Sequence, residues 1–394
     1  MAPLGLAPLM AVAGLFALAV LLKAHVHRTI AVGDIPIPVA AVLALLAWSL
    51  ASVVWAIDPS ASAVKWLRLA LTALGGLCLF GLARRLDPQD RRRVETALVA
   101  GVVLGLVLLV QDALTQAWLR RLVRGDMAHT ASVGLATLNR GATLAALMIW
   151  PACLVLYRRR WPLALLLLAA GAGSVALLES DSAHFAFAAG LVATAVAAIA
   201  PRLTTWGLAA ATFVAILAAP LAPTTVLAPD RVLAAAPGLA SPAVHRLYIW
   251  QFTARGIAEK PWLGWGIEAA RRFPGRDMPV TEIAPDLPGE VYGAMTVMPL
   301  HPHNAVLQVW LELGAPGALA LAVLAASLIA VAVPSCDRAD IAVIRGVTVA
   351  TILVSAFSYG FWQSWWQGAM WLVAAIMTVM AARSPRDGRP TPRP

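Results

Sequence analysis

HPHNAVLQVWLELGAPGALALAVLAASLIAVAV, residues 301–333, changes character halfway along, and that change decides the fold. Its second half, Gly314 to Val333, carries no charged residue, and about 20 helical residues at 1.5 Å each cross the roughly 30 Å hydrocarbon core of a bilayer. Its first half opens on two histidines and an asparagine, then keeps apolar residues at helical spacing until Gly314-Ala315-Pro316-Gly317. Asn304 is a good N-cap, so a short amphipathic helix is predicted to start at His303 or Asn304. The Gly/Pro break then turns the chain into a membrane helix.

Outward from this stretch similar apolar runs, with their few charged residues near the borders, recur at 4–22, 36–56, 61–83, 94–114, 136–157, 161–178, 183–200, 203–221, 341–360 and 366–382. With 314–333 they make eleven predicted spans, or twelve if Pro36 and Pro38 blur a further boundary. Composition agrees: of 394 residues 60% are hydrophobic and 13% charged, and the mean hydropathy is +0.78. A soluble domain carries about a quarter charged residues, so that class is excluded, and no low-complexity tract supports disorder. The expected fold is therefore an all-α polytopic membrane protein of about 11–12 transmembrane helices with one long loop. Residues 1–221 hold eight or nine helices, 222–313 the loop with amphipathic helices, 314–383 three helices, and 384–394 a tail. The run at 4–22 has no basic residue before it and Lys23 after it, the reverse of a cleaved signal peptide, so it reads as a first membrane helix. Cys78 and Cys153 lie in apolar runs and Cys336 in a short polar connection, which speaks against a disulfide framework.

The net charge of +10 would suggest nucleic acid in a soluble protein. Here it follows membrane topology. Arg84, Arg85, Arg91 to Arg93, Arg158 to Arg160, Arg202 and the arginines of the tail fall on one side if the spans alternate, which is predicted to be cytoplasmic. The segments of that side hold the whole excess of +10, and the rest of the chain sums to zero. No nucleic acid partner is expected. The other side receives the stretch from about Ala222 to Pro302, far longer than an ordinary connection, and function is expected there. Of the fifteen tryptophans, Trp55, Trp66, Trp150, Trp161, Trp362, Trp365 and Trp366 fall at predicted boundaries and read as an aromatic belt. No internal repeat appears and ionisable groups keep to the borders of the spans, which weakens a transporter reading.

Two constellations could carry chemistry. His303 at a helix start is favoured in its neutral form, as a general base needs; the plainer reading is a capping histidine. A helix over about 243–258 puts Arg246 and Trp250 on one face before Pro261 and the Trp262 to Gly266 turn. Arginine presents planar donors suited to phosphate or pyrophosphate, and Trp250 could stack on a sugar. An interfacial helix whose arginine reaches lipid phosphates fits equally well. Arg140 among apolar neighbours is predicted to face a wet cavity, whereas Arg271, Arg272 and Arg276 suit interface anchoring as readily. Glu179, Asp181 and His184 form a polar turn that could be a metal site, an acid/base group or a solvated turn. Glu282, Asp286 and Glu290 read as solvated surface.

Taken together these residues resemble the O-antigen ligase and polymerase superfamily of bacterial envelope glycosyltransferases. Its pattern of His, Asn, nine residues, Gly, two residues and Gly is met by His303, Asn304, Gly314 and Gly317. The upstream Arg, Trp, Pro and spaced Gly pair are met by Arg246, Trp250, Pro261, Gly264 and Gly266, and the early Trp and Asp-Pro turn by Trp55, Asp58 and Pro59. Many members carry Ser-Arg where this chain has Ser182-Ala183-His184, which leaves His184 or Arg140 as candidates for that anionic contact.

The resemblance implies a GT-C-like inner-membrane enzyme that moves an O-antigen glycan from an undecaprenyl pyrophosphate donor to a sugar hydroxyl of lipid A-core. The site would face the periplasm and the C-terminus the cytoplasm. His303 would be the base and Arg246 would bind pyrophosphate, with Arg140, Arg271, Arg272, Trp250, His301 and His184 as further substrate-binding candidates. No metal or other cofactor is expected, because arginines can neutralise the pyrophosphate. The rivals are a polymerase or protein O-oligosaccharyltransferase of the same superfamily, a lipid-linked glycan transporter, and a non-catalytic scaffold.

Overall fold

A computed structural model describes residues 5–23, 36–125, 135–331 and 337–381. Cys336, the tail 384–394 and most of the basic connection after Lys23 lie outside the described residues. In chain order the helices are α1 (Leu6–Lys23), α2 (Ile37–Ala51), α3 (Pro59–Ala83), α4 (Pro88–Leu114), α5 (Trp118–Arg124), α6 (Asn139–Ala176), α7 (Asp181–Ile199) and α8 (Pro201–Ala218). They continue with α9 (Pro229–Ala235), α10 (Ser241–Glu259), α11 (Val280–Ile283), α12 (Gly289–Tyr292), α13 (Ala305–Val331), α14 (Arg338–Phe357) and α15 (Ser364–Ala381). The protein is an all-α polytopic membrane protein.

Among the described residues nine helices are long and apolar enough to cross a membrane, where the sequence predicts eleven or twelve. Two elements account for the difference from eleven. The spans expected at 136–157 and 161–178 are the two arms of α6, bent at Arg160, whose backbone is non-helical at φ −154° and ψ 94°. Pro162 follows at once and cannot donate the hydrogen bond that would continue the helix. The arms lie against each other: Cys153 Sγ sits 3.5 Å from the Ala164 carbonyl, and Gly171 leaves room for the Ile149 side chain. The other is α15, which opens on Ser-Trp-Trp-Gln and is not among the nine.

α14 packs along α7, α13 along α8 and α2, α1 along α3, and α4 along α6. Small residues permit these approaches. Gly190 of α7 and Gly346 of α14 meet so closely that a Cβ on Gly346 would stand 2.1 Å from Thr194 Oγ1, as in membrane bundles held by packing and not by the hydrophobic effect. At the end of the bundle where α6 bends, Arg158 pairs with Asp340, and Arg159 Nη2 lies 3.1 Å from Glu95 Oε2.

The aromatic belt is the expectation most altered. Trp150, Trp362, Trp365 and Trp366 are buried, between 0% and 4% exposed, while Trp161 is exposed at 60%. Trp150 and Trp366 join the central core of α4, α6, α7, α14 and α15, and the others close the site described next. Their position near span ends is right, but they face protein rather than lipid headgroups.

Candidate functional site

The site forms where three segments distant in sequence meet: residues 301–304, α10, and the turn 358–363 between α14 and α15. Asn304 caps α13, its Oδ1 accepting from Val306 N and Leu307 N at 3.0 Å each. α13 breaks at Gly314, where φ 61° and ψ −161° lie in a region essentially reserved for glycine. The break serves a close contact: a Cβ on Gly314 would stand 2.2 Å from the Trp262 carbonyl oxygen, and one on Gly264, at φ 68°, would stand 2.6 Å from the Glu312 carbonyl. Backbone rests on backbone, and Trp265 N and Gly266 N donate to the Leu311 and Glu312 carbonyls at 2.9 and 2.8 Å. Gly264 and Gly314, one from each spaced pair, are thus halves of one joint, which seats α10 and its following turn on the start of α13.

α10 then reaches the histidines. Trp250 Nε1 donates to the Pro302 carbonyl at 3.0 Å, so its indole holds the His-Pro-His segment, with Phe357 beside it at 5.7 Å between ring centroids. This polar edge is committed to the backbone, a contact that positions the His-Pro-His segment. His301 and His303 stack at 4.4 Å between ring centroids. His303 adopts φ 53° and its backbone N–H donates to His301 Nδ1 at 3.1 Å. His303 Nδ1 lies 2.9 Å from the Ser358 carbonyl oxygen. A carbonyl only accepts, so Nδ1 carries the proton and Nε2 is left with its lone pair. Burial holds the His303 imidazole below its usual range, opposed by the Ser358 contact and reinforced by the Arg246 charge. The neutral form expected from the helix end therefore arises first from desolvation. His301, 7% exposed, is pushed down to about 3, by burial first and then by the charges of His303 and Arg271.

Arg246 is half-buried on α10; desolvation lowers its pKa, opposed by Asp181 and Tyr359. Arg140, at the start of α6, stands over the Trp365 ring at 5.6 Å. Tyr359 packs edge-on against the same Trp365 ring at 4.6 Å between centroids, and its Oη is 3.0 Å from Thr143 Oγ1; burial raises its pKa, while the Thr143 hydrogen bond and the charges of Arg140 and Arg246 lower it. A chain of contacts runs from His301 Nε2, 2.9 Å from the Gln363 amide, to Trp365 Nε1, which donates to Gln363 Oε1 at 2.8 Å. Beneath it Glu312 accepts from Trp362 Nε1 at 2.6 Å, from Gln308 Nε2 at 3.0 Å, and from the backbone N–H groups of Glu268 and Ala270. Ser358 Oγ and Asn139 Oδ1, next in sequence to Tyr359 and Arg140, are buried without a hydrogen-bond partner among the described residues.

The remaining candidates sit elsewhere. Arg271 Nε pairs with Glu268 Oε1 at 2.8 Å and Arg272 Nη1 with Asp58 Oδ2 at 2.6 Å, while Asp58 caps α3 through Ala61 N. Arg276 donates to the Pro299 carbonyl. His184 Nε2 lies 2.8 Å from the Val175 carbonyl, a local contact at the end of α6, and among the described residues no three metal-ligating side chains gather. Tyr359, Gln363 and Glu312 were not singled out from the sequence. A Gln363-to-Gln367 pair beside apolar spans was the available signal for that turn, and Glu312 in an otherwise apolar helix was the signal for the joint.

Residues 127–322 match the family model described as O-Antigen ligase. Curated relatives agree. A candidate polysaccharide ligase of Rickettsia bellii is 26% identical over 344 residues, covering 84% of this chain and 78% of the relative. Those of Rickettsia conorii and Rickettsia prowazekii are 25% identical over 75% of this chain and 24% identical over 85%, covering 69% and 78% of the relatives.

Proposed function

We propose, from the premise that this chain belongs to the O-antigen ligase family of multi-pass membrane glycosyltransferases, that it transfers an O-antigen glycan from undecaprenyl pyrophosphate to a sugar hydroxyl of lipid A-core. Transfer takes place at the periplasmic face of the inner membrane, with inversion. The observation that supports this reading is His303, whose Nδ1 faces the Ser358 carbonyl and leaves Nε2 its lone pair, with the Arg246 charge acting on it and the charges of both Arg246 and Arg140 acting on the next residue of that turn, Tyr359. His303 Nε2 takes the proton of the acceptor hydroxyl as its oxygen bonds to the anomeric carbon. The bond from that carbon to the phosphate oxygen breaks, and Arg246 and Arg140 take up the charge that grows on the leaving pyrophosphate. Arg271 and Arg272, paired to Glu268 and Asp58, have no part in this step.

The test is a reconstituted reaction with lipid-linked donor, lipid A-core, no ion gradient, and chelator present. Wild type transfers glycan, while His303→Ala and Arg246→Ala insert in the membrane normally and lose transfer at least a hundredfold. Near-normal transfer by both variants overturns the proposal, loss of activity in chelator overturns its metal independence, and product on another acceptor overturns the choice of lipid A-core.

A further inference from the structure

We propose that a groove beside the first turns of α3 is a second binding site, one that takes the phosphate of a lipid headgroup entering from the bilayer. The groove, about 400 Å³, is walled by Val64, Lys65 and Arg68 of α3 and, across from them, by Glu268 and Arg271. Lys65 Nζ at 3.2 Å and Arg271 Nε at 2.8 Å share a single oxygen of Glu268. Three cations around one carboxylate leave two positive charges uncompensated within the groove. The Glu268 wall is rigid, because its backbone N–H donates to buried Glu312.

The position of Arg68 identifies the occupant. It lies nine residues into α3, about 14 Å along the helix from its start, and it is exposed. It borders a stripe of exposed apolar residues, Val64 at 53%, Leu67 at 53% and Leu71 at 60%, that marks the lipid-facing side of α3. A cation at that depth is costly unless its guanidinium meets a charged partner. Snorkelling to bulk lipid accounts for a lone arginine; it does not account for Lys65 and Arg271 converging on the same groove. Val64 belongs both to the lipid-facing stripe and to the groove wall, so the groove opens sideways toward acyl chains with its cations along the lining. An arginine fork with a lysine beside it matches phosphate oxygens, and the apolar edge matches the lipid that carries them. Glu268, through its N–H on Glu312, joins the groove to the underside of the His303 centre. The site deepens the transfer reading by giving a phosphorylated lipid substrate a second hold, and it rests on that reading only for the kinetic arm below.

Binding is tested on the purified full chain in detergent by native mass spectrometry with dioctanoyl phosphatidic acid, with dioctanoylglycerol and inorganic phosphate as comparison probes. Wild type and His303→Ala are expected to retain one phosphatidic acid, Arg68→Gln to bind about tenfold more weakly, Arg68→Lys to keep most of the affinity, and dioctanoylglycerol not to be retained. Equal retention by Arg68→Gln, retention of dioctanoylglycerol, or displacement of the lipid by equimolar inorganic phosphate overturns the proposal, the last by making the site one for a free anion. In the transfer reaction Arg68→Gln raises the KM for lipid A-core and leaves kcat unchanged; a fall in kcat at unchanged KM overturns the substrate role even where binding succeeds.

Discussion

Acidification should unfold this protein through His301. The imidazole is 7% exposed and accepts the His303 backbone N–H at Nδ1, a contact that a proton on Nδ1 would destroy. In the unfolded chain a histidine takes up its proton near 6.5, whereas in the folded protein burial, His303 and Arg271 hold His301 to about 3. Between those two values the unfolded state binds more protons, so stability is complete above pH 6.5 and declines as pH falls. At pH 5 the unfolded state has gained about 1.5 pH units of protonation, worth about 2 kcal/mol at roughly 1.4 kcal/mol per unit. The assay is an equilibrium SDS titration of the full chain in mixed micelles at pH 7.5 and pH 5, read by tryptophan fluorescence. His301→Gln supplies an amide oxygen for the His303 N–H and does not titrate. Wild type is expected to lose about 2 kcal/mol more than this variant on going from pH 7.5 to pH 5. Equal acid losses in the two proteins would refute the reasoning.

The same burial extends the working range of His303. Its pKa lies below the ordinary imidazole value, so transfer per folded molecule should keep more than half of its pH 7.5 rate at pH 6.5; a steady-state rate that has fallen to half or less at pH 6.5 contradicts a depressed base. Glu312→Ala strands the donors Trp362 Nε1, Gln308 Nε2 and the Glu268 N–H in a buried joint, at a cost of about 3–5 kcal/mol in the SDS titration. Glu312→Gln, which keeps one oxygen acceptor, should lose less than half of that, and an alanine variant within about 1 kcal/mol of wild type removes Glu312 from the joint.

Where the membrane helices run was legible without coordinates, because crossing a bilayer demands long uncharged segments and little else does. The start of α13 at Asn304 and its break at Gly314 were legible for a similar reason: caps and glycine-only dihedrals are local rules written in a few adjacent residues. His303 and Arg246 could be named as candidates from residue type and motif spacing. That spacing acquires its reason only in three dimensions, where Gly264 and Gly314 prove to be one backbone contact. The turn at Arg160 was legible from the same local rules: the apolar runs on either side of Pro162 are two helical arms that fold back on each other.

What the sequence by itself determined is therefore one-dimensional: which segments enter the membrane, where helices start and break, and which side chains have the chemistry to move a proton or hold a phosphate. Tertiary structure alone decided their partners. It tied the Trp250 indole N–H to the Pro302 carbonyl and paired Arg271 and Arg272 with Glu268 and Asp58. It also set Tyr359 and Arg140 against one Trp365 ring and buried Trp362, Trp365 and Trp366 that a belt would leave at the headgroups. The physical reason is that pairing, burial and desolvation depend on which distant segments meet, and in a bundle of uniformly apolar helices no local pattern specifies which face meets which.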